Sequence, residues 1–571
     1  MHGQHRVVAA IDFGTYGTGF AWARVSEDNA DLATRRVIHF DSWEGQSVAY
    51  PKNRSALLLD AAGGLKAWGH SAVRQAESLP AGSGLTLYQD FKMSLQADLG
   101  RSLDLSGEFG SPAGQAAPET YRLVVLCLRQ AFLKALEAIT AGPYLESDIR
   151  WCVTVPAIWD NYTRDLMRKA AVEAGLPEDP DRLLLAREPT AAALYCVAKG
   201  EQVTAPGARF MVIDAGGGTV DITSYQVADD GRLDELGLPN GTNSGSEYLN
   251  REFMEHVLYG HFGPDFFSRL HSEHREMLYP MMTAWEIAKR SHTAASRDGL
   301  IIPLNAPLYA LLLRDAARRG ELDGSGPATE IAVSGAEVSA LFDRIIMPTL
   351  QRVDEQLRSM REASGTSGGE TAVLVGGFAE SPYLRQQLRS YLIHRDVRLV
   401  VPDNPSIAVL AGAVHFAYDN SPFLSWRAPL SCGVSASLLF REGVDPPAEK
   451  FTDEQGRDRC PNRFAVFLQA RKSVEADHQV VRAYIPLRRD QRNLSLELLT
   501  SPDPDVQYAS EPGVAKAGEL EVDISSSLGR PAEERRVEVT MTFSDTRVQV
   551  TARDTQNGTP YSTQFSWRPT W

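Results

Sequence analysis

Two glycine-rich segments of similar sequence contain the residues best suited to chemistry. The first is Ile11-Asp12-Phe13-Gly14-Thr15, and the second is Ile213-Asp214-Ala215-Gly216-Gly217-Gly218-Thr219. Each follows a short apolar run and precedes another, a pattern typical of a strand, a glycine turn and a second strand. Such a turn exposes backbone N–H groups that can bind a phosphate, and its leading aspartate can hold a metal ion through water. Two such turns facing each other would clamp a nucleotide.

Three further groups could contribute to a nucleotide site, although each also has a simpler interpretation. Glu286, Lys289 and Arg290 share one face of a predicted helix. They could bind a nucleotide, or they could form an ordinary charged face exposed to solvent. Gly376-Gly377 ends an apolar run and could admit a nucleotide to the backbone or form an ordinary tight turn. Asp221 lies on the strand that follows the second glycine segment. It could belong to a metal site, or it could be a charged residue on an edge strand.

Length and composition indicate a large soluble globular protein. A chain of 571 residues is too long for one core and should form three or four units. Its net charge of −15 argues against duplex nucleic acid or an anionic membrane as the main partner. No apolar stretch is long enough to span a bilayer. Five scattered cysteines are most simply free thiols in a reducing cytosol.

The elements that must position these residues follow from hydrophobic periodicity. The first half alternates strands and helices, and the second half repeats that plan before a region of short strands. In the first half we predict helices at 121–139, 163–175 and 189–199 and a strand at 149–156. In the second half we predict strands at 210–214 and 371–375 and helices at 251–262 and 279–293. Beyond about residue 425 we predict strands at 494–499, 519–524, 536–543 and 547–553.

The order of these motifs resembles the nucleotide-binding domain of the DnaK-type heat-shock 70 kDa chaperones, in the actin-like superfamily. The resemblance covers about residues 5–418. It rests on Val155-Pro156-Ala157, Arg187 to Ala193, Asp214 to Asp221, Ala284 to Arg290, and Val375-Gly376-Gly377. It implies an α/β fold: a duplicated actin-like (ribonuclease H-like) nucleotide-binding domain followed by a small β-rich C-terminal domain. The implied domains are lobe I at 1–204, lobe II at 205–420 and the β-rich domain at 425–571.

A narrower resemblance points to the divergent heat shock 70 kDa protein 12 branch of that family. It rests on Phe91-Lys92-Met93, on Arg187 before Glu188, and on the segments Glu511 to Val514 and Phe543 to Thr546. Members of this branch have a shortened β-rich domain and lack the helical lid.

The family resemblance implies a role for each matching residue. Asp12 and Asp214 would hold a hydrated Mg²⁺. The phosphates would be bound by Gly14, Thr15, Tyr16, Gly216, Gly217, Gly218 and Thr219. The adenosine would be bound by Glu286, Lys289 and Arg290, with Gly376 and Gly377 closing its other side. The catalytic set would be Asp12, Asp214, Thr219, Asp221 and Glu188, and Glu188 with Pro156 would link nucleotide state to the partner domain.

This chain departs from the family pattern at two positions, one expected near the phosphates and one expected near the adenine base. The family has a catalytic lysine where this chain has Val73 followed by Arg74, and Lys92 lies too far along the chain to be an assured substitute. A lysine there would neutralise charge on the transferred phosphoryl group, so its loss predicts slow hydrolysis. In the Gly-Gly turn, Glu380 replaces an arginine that stacks on adenine.

These observations predict a cytoplasmic, heat-shock-70-like protein of the stress response. It would bind ATP and ADP with Mg²⁺, be a weak ATPase and hold unfolded or peptide clients through its β-rich domain, with co-chaperones as possible partners. One alternative is a nucleotide-dependent binding scaffold with little or no hydrolysis. A filament-forming actin-like protein is disfavoured by the β-rich tail, and a sugar kinase by the lack of a further sugar-binding domain.

Overall fold

The computed structural model describes residues 5–79, 83–96, 117–200, 203–296, 299–320, 327–418, 423–475, 478–543 and 547–566. It is a mixed α/β structure with several sheets, as the sequence predicted. Residues 544–546 of the last motif quoted above lie outside the described ranges. The chain divides into two compact units. One comprises Met1–Trp159, Asp165–Val227 and Pro239–Pro422, and the other comprises Asp160–Arg164, Ala228–Leu238 and Phe423–Trp571.

The strands are numbered in chain order. Up to residue 418 they are β1 (Val7–Phe13), β2 (Gly17–Arg24), β3 (Ile38–His39), β4 (Asn53–Arg54), β5 (Ala56–Asp60), β6 (Leu65–Trp68), β7 (Leu85–Gln89), β8 (Ile149–Val155), β9 (Leu183–Arg187), β10 (Arg209–Ala215), β11 (Val220–Val227), β12 (Leu233–Glu235), β13 (Asn240–Thr242), β14 (Leu300–Pro303), β15 (Glu330–Val333), β16 (Glu370–Val375) and β17 (Val397–Val400). After it they are β18 (Phe423–Arg427), β19 (Ser431–Leu439), β20 (Phe451–Thr452), β21 (Asp458–Leu468), β22 (Ser473–Glu475), β23 (His478–Tyr484), β24 (Asn493–Ser501), β25 (Ala515–Asp523), β26 (Val537–Phe543), β27 (Arg547–Asp554) and β28 (Pro560–Ser566).

The α-helices among the described residues all precede residue 419. They are α1 (Gly69–Glu77), α2 (Ala117–Thr140), α3 (Asn161–Ala174), α4 (Glu188–Ala198), α5 (Ser246–Phe253), α6 (Tyr259–Phe262), α7 (Pro264–Glu273), α8 (Tyr279–Ser291), α9 (Ala306–Arg319), α10 (Gly335–Ser364), α11 (Pro382–Ile393) and α12 (Ala408–Tyr418). None of them combines the length and apolar character needed to cross a membrane.

Two sheets of the first unit have the same local arrangement around a glycine turn. In one, β1 and β2 form an antiparallel hairpin, and β1 also pairs in parallel with β8. In the other, β10 and β11 form the hairpin, and β10 pairs in parallel with β16. The strand orders are β3-β2-β1-β8-β9 and β17-β16-β10-β11. The predicted strand, turn and strand at each Asp-Gly segment are therefore confirmed.

Burial explains why these hairpins hold fixed positions. Every residue of β1 is buried, which suits a central strand covered on both faces. Helices α4 and α12 pack so closely that a Cβ placed on Gly412 would lie 1.7 Å from the carbonyl oxygen of Ala191. Only glycine permits this approach, so the helices behind the turns are tightly docked.

The second unit is built from short strands, and its described residues contain no α-helix of their own beyond the first residues of α3. One sheet has the order β20-β21-β19-β24-β25, and another has the order β23-β26-β27-β28. Residues of both sheets share one buried apolar cluster, which includes Val434, Leu498, Val539 and Val550. The strands predicted at 494–499, 519–524, 536–543 and 547–553 are confirmed, with ends shifted by a few residues.

Candidate functional site

A cavity of about 370 Å³ in the first unit brings the glycine segments together. Thirteen of the predicted site residues line it. These are Asp12, Gly14, Thr15, Tyr16, Glu188, Asp214, Gly216, Gly217, Gly218, Thr219, Arg290, Gly376 and Gly377. Asp221 is buried and does not line the cavity, Glu286 lines an adjoining cavity of about 470 Å³, and Lys289 lines neither.

The two glycine turns face each other at contact distance. A Cβ placed on Gly218 would lie 2.4 Å from the hydroxyl oxygen of Thr15, and one on Gly217 would lie 2.9 Å from the Cβ of Tyr16. Real side chains do not tolerate such distances, so glycine is required for the turns to meet. Within the second turn, the Gly216 amide donates to the carbonyl of Thr219 over 2.9 Å. The turns therefore form the two sides of one narrow site.

Asp12 is the most enclosed of the acids that line the cavity. Its Oδ1 accepts a 2.7 Å hydrogen bond from the Thr154 hydroxyl, and its Oδ2 lies 2.6 Å from the Lys52 ammonium. Burial alone would raise the pKa of Asp12, but Lys52, Lys92 and the Thr154 hydroxyl lower it below its ordinary value. Asp12 is therefore a charged carboxylate whose two oxygens both have partners in the chain.

Local pairing explains how Lys52 reaches this position. β4 follows it directly and pairs with β2, so that Asn53 lies opposite Thr18. A Cβ on Gly19 would lie 3.1 Å from the Lys52 Cγ, which places the lysine stem over glycines of β2. Burial opposes charge on this amine, but Asp12, Tyr50 and Asp214 together raise the pKa of Lys52 above its ordinary value. The ammonium thus faces both aspartates of the glycine segments.

A second lysine, Lys92, neutralises Glu188. Its Nζ lies 2.6 Å from Glu188 Oε1, and both residues are buried. Burial is the main cause that raises the pKa of Glu188 to about 7, with the Lys92 charge acting against it. A short helical turn over Phe91–Leu95, directly after β7, delivers the lysine, and the preceding Asp90 has a left-handed backbone with φ of 61°. Chain separation therefore does not keep Lys92 from the site.

The remaining two acids of the site have different surroundings. Burial, followed by the charges of Glu188 and Asp221, raises the pKa of Asp214 well above its ordinary value. Asp221 Oδ1 accepts hydrogen bonds from the amides of Ala157 and Ile158, at 2.8 and 3.1 Å. Asp221 thus anchors the loop that follows β8, and in this position it is a supporting residue behind the cavity.

Helix α8 supplies a buried polar network beside the cavity. Lys289 donates to Glu286 Oε1 over 2.6 Å and to Asn250 Oδ1 over 2.9 Å, and Asn250 in turn donates to Glu286 Oε1 over 2.7 Å. Glu286 Oε2 is buried without a hydrogen-bond partner, as is Glu247 Oε1 nearby. Buried acceptors of this kind can receive hydrogen bonds from hydroxyl groups of a ligand.

Arginines flank Tyr16 on the first turn. Arg290 donates to the Tyr16 hydroxyl over 2.9 Å, and the Arg54 guanidinium carbon lies 3.6 Å from the centre of the Tyr16 ring. These contacts hold Tyr16, which lines both cavities. Cation and ring attract each other through the ring quadrupole, which holds Arg54 in place.

The third glycine turn packs against the second. Gly376 has φ of +90°, and a Cβ there would lie 2.3 Å from the carbonyl oxygen of Ala215 and 2.5 Å from Asp214 Oδ1. Position 376 needs a glycine because of this positive φ and because of these close contacts. Helix α11, which follows this turn, is capped by Ser381, whose hydroxyl accepts a hydrogen bond from the Leu384 amide.

Sequence reasoning missed Lys52, Tyr50 and Arg54, which also line the cavity. The signal for Lys52 and Arg54 was the cationic pair around Asn53, just after Pro51. Arg74, the cation nearest in sequence to the family's lysine position, lines only the adjoining cavity and makes a 3.5 Å contact with the Gly45 carbonyl.

The contacts of Asp12 determine whether this residue can hold a metal ion. A hydrated ion would need an open oxygen, and in this structure the ammonium of Lys52 and the hydroxyl of Thr154 occupy both. Asp214 lines the cavity as the other predicted metal-binding carboxylate. The donor set therefore does not fit a metal ion at Asp12 while Lys52 keeps its position.

Comparison with known proteins finds similarity at two levels. A family model described as Hsp70 protein matches residues 128–306. Human heat shock 70 kDa protein 12A is 29% identical over 96% of this chain and 89% of its own length. Human heat shock 70 kDa protein 12B is 28% identical over the same shares. Heat shock 70 kDa protein 2 of Paracoccidioides lutzii is 25% identical over 66% of this chain and 54% of its own length.

Proposed function

We propose that the chain is a member of the Hsp70 family, in its divergent protein 12 branch, and that it binds ATP and ADP and hydrolyses ATP slowly. The observation that carries the proposal is the contact between the two glycine turns across one cavity. A Cβ on Gly218 would come within 2.4 Å of Thr15, so amides of both turns border the same space. Clustered backbone amides of this kind favour phosphate.

The proposal includes the fold expected of the family. The two similar hairpins with a parallel neighbour support a duplicated actin-like domain, with lobe I at 1–204 and lobe II at 205–420. The strands after residue 423 support a separate β-rich domain at 425–571.

We assign the phosphate end of the cavity to the turns and the adenosine end to α8 and the third turn. Phosphates would accept hydrogen bonds from amides at 14–16 and 216–219. The nucleoside would lie beside Arg290, Gly376 and Gly377. Its hydroxyl groups could donate to Glu286 Oε2, which has no hydrogen-bond partner and belongs to a residue that lines the adjoining cavity. Magnesium, when bound, would screen phosphate charge, with Asp214 as its carboxylate and Asp12 only after Lys52 moves.

Two observations support slow turnover. Lys52 and Lys92, the lysines that line the cavity, are each held 2.6 Å from a carboxylate, and Arg74 lies at the adjoining cavity. A cation tied to an acid is less available to neutralise charge on a transferred phosphoryl group. The same observation supports the second candidate, a nucleotide-dependent binding scaffold with little or no hydrolysis.

Single-turnover hydrolysis of ATP separates these two functions. Asp214→Asn removes a carboxylate that lines the cavity, whereas Asp230→Asn removes an exposed one that is paired with Arg232 and serves as the matched control. For an ATPase we expect the first variant to be slower than wild type by at least about tenfold and the control to be unchanged. Equal rates in all three proteins would contradict the ATPase and leave the scaffold.

We also propose that residues 425–571 hold an extended peptide client, in a cytoplasmic chaperone of the stress response that works with co-chaperones. Support comes from β23, a sheet-edge strand with Val481 52% exposed. Edge strands can add a peptide strand through main-chain hydrogen bonds. Fluorescence anisotropy of a labelled apolar peptide with the full chain would test this. Val481→Lys should weaken peptide binding, and Val444→Lys, also at an exposed valine, should not; absence of binding to wild type would contradict client holding.

A further inference from the structure

Lys52 lies beside Asp12, the leading aspartate of the first glycine turn. Its ammonium lies 2.6 Å from Asp12 Oδ2, and its charge also acts on Asp214. Asp12 is 2% exposed, so its negative charge needs a cation close by. In this structure that cation belongs to the chain itself.

The lysine is built into the site by its backbone and its stem. Asn53 and Arg54, which follow it, pair with Thr18 and Gly17 of β2. Cβ atoms on Gly17 and Gly19 would lie 3.3 and 3.1 Å from carbons of the Lys52 side chain. Because both positions are glycine, the stem can lie against β2 and reach Asp12.

Nucleotide binding adds phosphate charge to a site that already contains acids. Besides Asp12, the cavity is lined by Asp214 and Glu188, and Lys92 is already paired with Glu188. A divalent ion commonly supplies the positive charge that phosphates need beside carboxylates. Lys52 supplies one positive charge at that place, and its flexible stem lets the ammonium turn from Asp12 toward a phosphate.

We propose that Lys52 replaces the divalent ion beside Asp12 in part, so that this chain binds nucleoside diphosphate with only a weak requirement for metal. The inference rests on the proposed nucleotide binding and adds to it the source of the cation.

Titration calorimetry with ADP, in excess Mg²⁺ and in excess EDTA, tests the inference. For wild type we expect the affinity to change by less than about threefold between the two conditions, and for Lys52→Met to fall at least about tenfold on removal of metal. Lys66→Met is the matched control, because Lys66 forms a 2.8 Å ion pair with Asp60 and lies outside the cavity. It should behave as wild type.

Lys52→Met leaves Asp12 buried without its cation, which favours misfolding. A second variant therefore accompanies it. The double variant Asp12→Asn/Lys52→Met removes both charges, and it should also require metal for ADP binding. A wild-type affinity that falls about tenfold or more in EDTA would overturn the inference, as would equal metal dependence in wild type and both variants. Absence of ADP binding in both conditions would instead overturn the proposed function, and the inference with it.

Discussion

At the scale of the residue, the proposed phosphate end of the cavity is a network of buried acids and paired lysines. Its acids are Asp12, Glu188, Asp214 and Asp221, and its cations are Lys52 and Lys92. The excess of acids explains why burial and mutual repulsion raise the pKa of Asp214 and Glu188. Each lysine is consequently a structural counter-ion as well as a candidate ligand for phosphate.

The ion pair between Lys92 and Glu188 should contribute strongly to the unfolding free energy. Above about pH 7, where Glu188 is ionised, Lys92→Met leaves its carboxylate buried without a cation, which we expect to lower the unfolding free energy by about 3 kcal/mol. Urea denaturation measures this. Lys134→Met removes an exposed lysine 2.9 Å from Glu137 and should change the unfolding free energy by less than about 0.5 kcal/mol. Similar losses in the two variants would refute the buried pair.

Glu188 should also give stability a pH dependence of definite sign. Its pKa is raised from the ordinary 4.5 to about 7 by burial, so the folded state holds this proton more tightly than the unfolded chain does. Its favourable contribution is complete below about pH 4.5 and is lost as pH rises through about 7. Between these values, the unfolding free energy of wild type should fall more steeply than that of Glu188→Gln. Exposed Glu137→Gln is the control, and parallel curves for wild type and Glu188→Gln would contradict the raised pKa.

At the scale of the element, the site depends on how closely two hairpin turns approach. Each turn could be predicted from its own sequence, because two apolar runs separated by a glycine-rich turn indicate a hairpin. Their contact does not follow from either segment. The two hairpins belong to different sheets of one unit, so their contact depends on how those sheets are placed within that unit.

Gly218→Ala tests the contact between the turns. The added Cβ would lie 2.4 Å from the Thr15 hydroxyl and 2.8 Å from Met93, so the turns must separate. We expect the affinity for ADP, measured by calorimetry, to fall at least about tenfold. Gly260→Ala, in helix α6 with open space around its Cβ position, should leave that affinity unchanged. An unaltered affinity in Gly218→Ala would show that the nucleotide does not bind between the turns.

The secondary-structure elements also show which features of the fold and site could be predicted from the sequence and which could not. Strands and helices of the first unit follow from periodicity, and Thr163 to Gly175, for example, corresponds to α3 ending at Ala174. Lys52 could not be predicted as a site residue because β4, the strand that places its neighbours, has only two residues and no periodicity to detect. The position of Lys92 along the chain argues against a role at the site, but β7 and the short helical turn after it bring Lys92 to the cavity.

At the scale of the whole molecule, the site residues all belong to one of the two compact units. A ligand that binds only the folded form of that unit stabilises it, by about 2.7 kcal/mol at one hundred times its dissociation constant. Hydrogen exchange with and without ADP should therefore show increased protection in peptides that cover 12–19 and 214–220. Protection confined to 478–543 would place the nucleotide in the other unit and contradict the assignment.

The central claim is that a nucleotide binds between the two Asp-Gly turns, and a crystal structure with ADP tests it most directly. The predicted result has the phosphates within hydrogen-bond distance of amides at 14–16 and 216–219, with the nucleoside beside Arg290 and Gly377. ADP bound elsewhere in the chain, or a cavity that stays empty at saturating ADP, would contradict the claim.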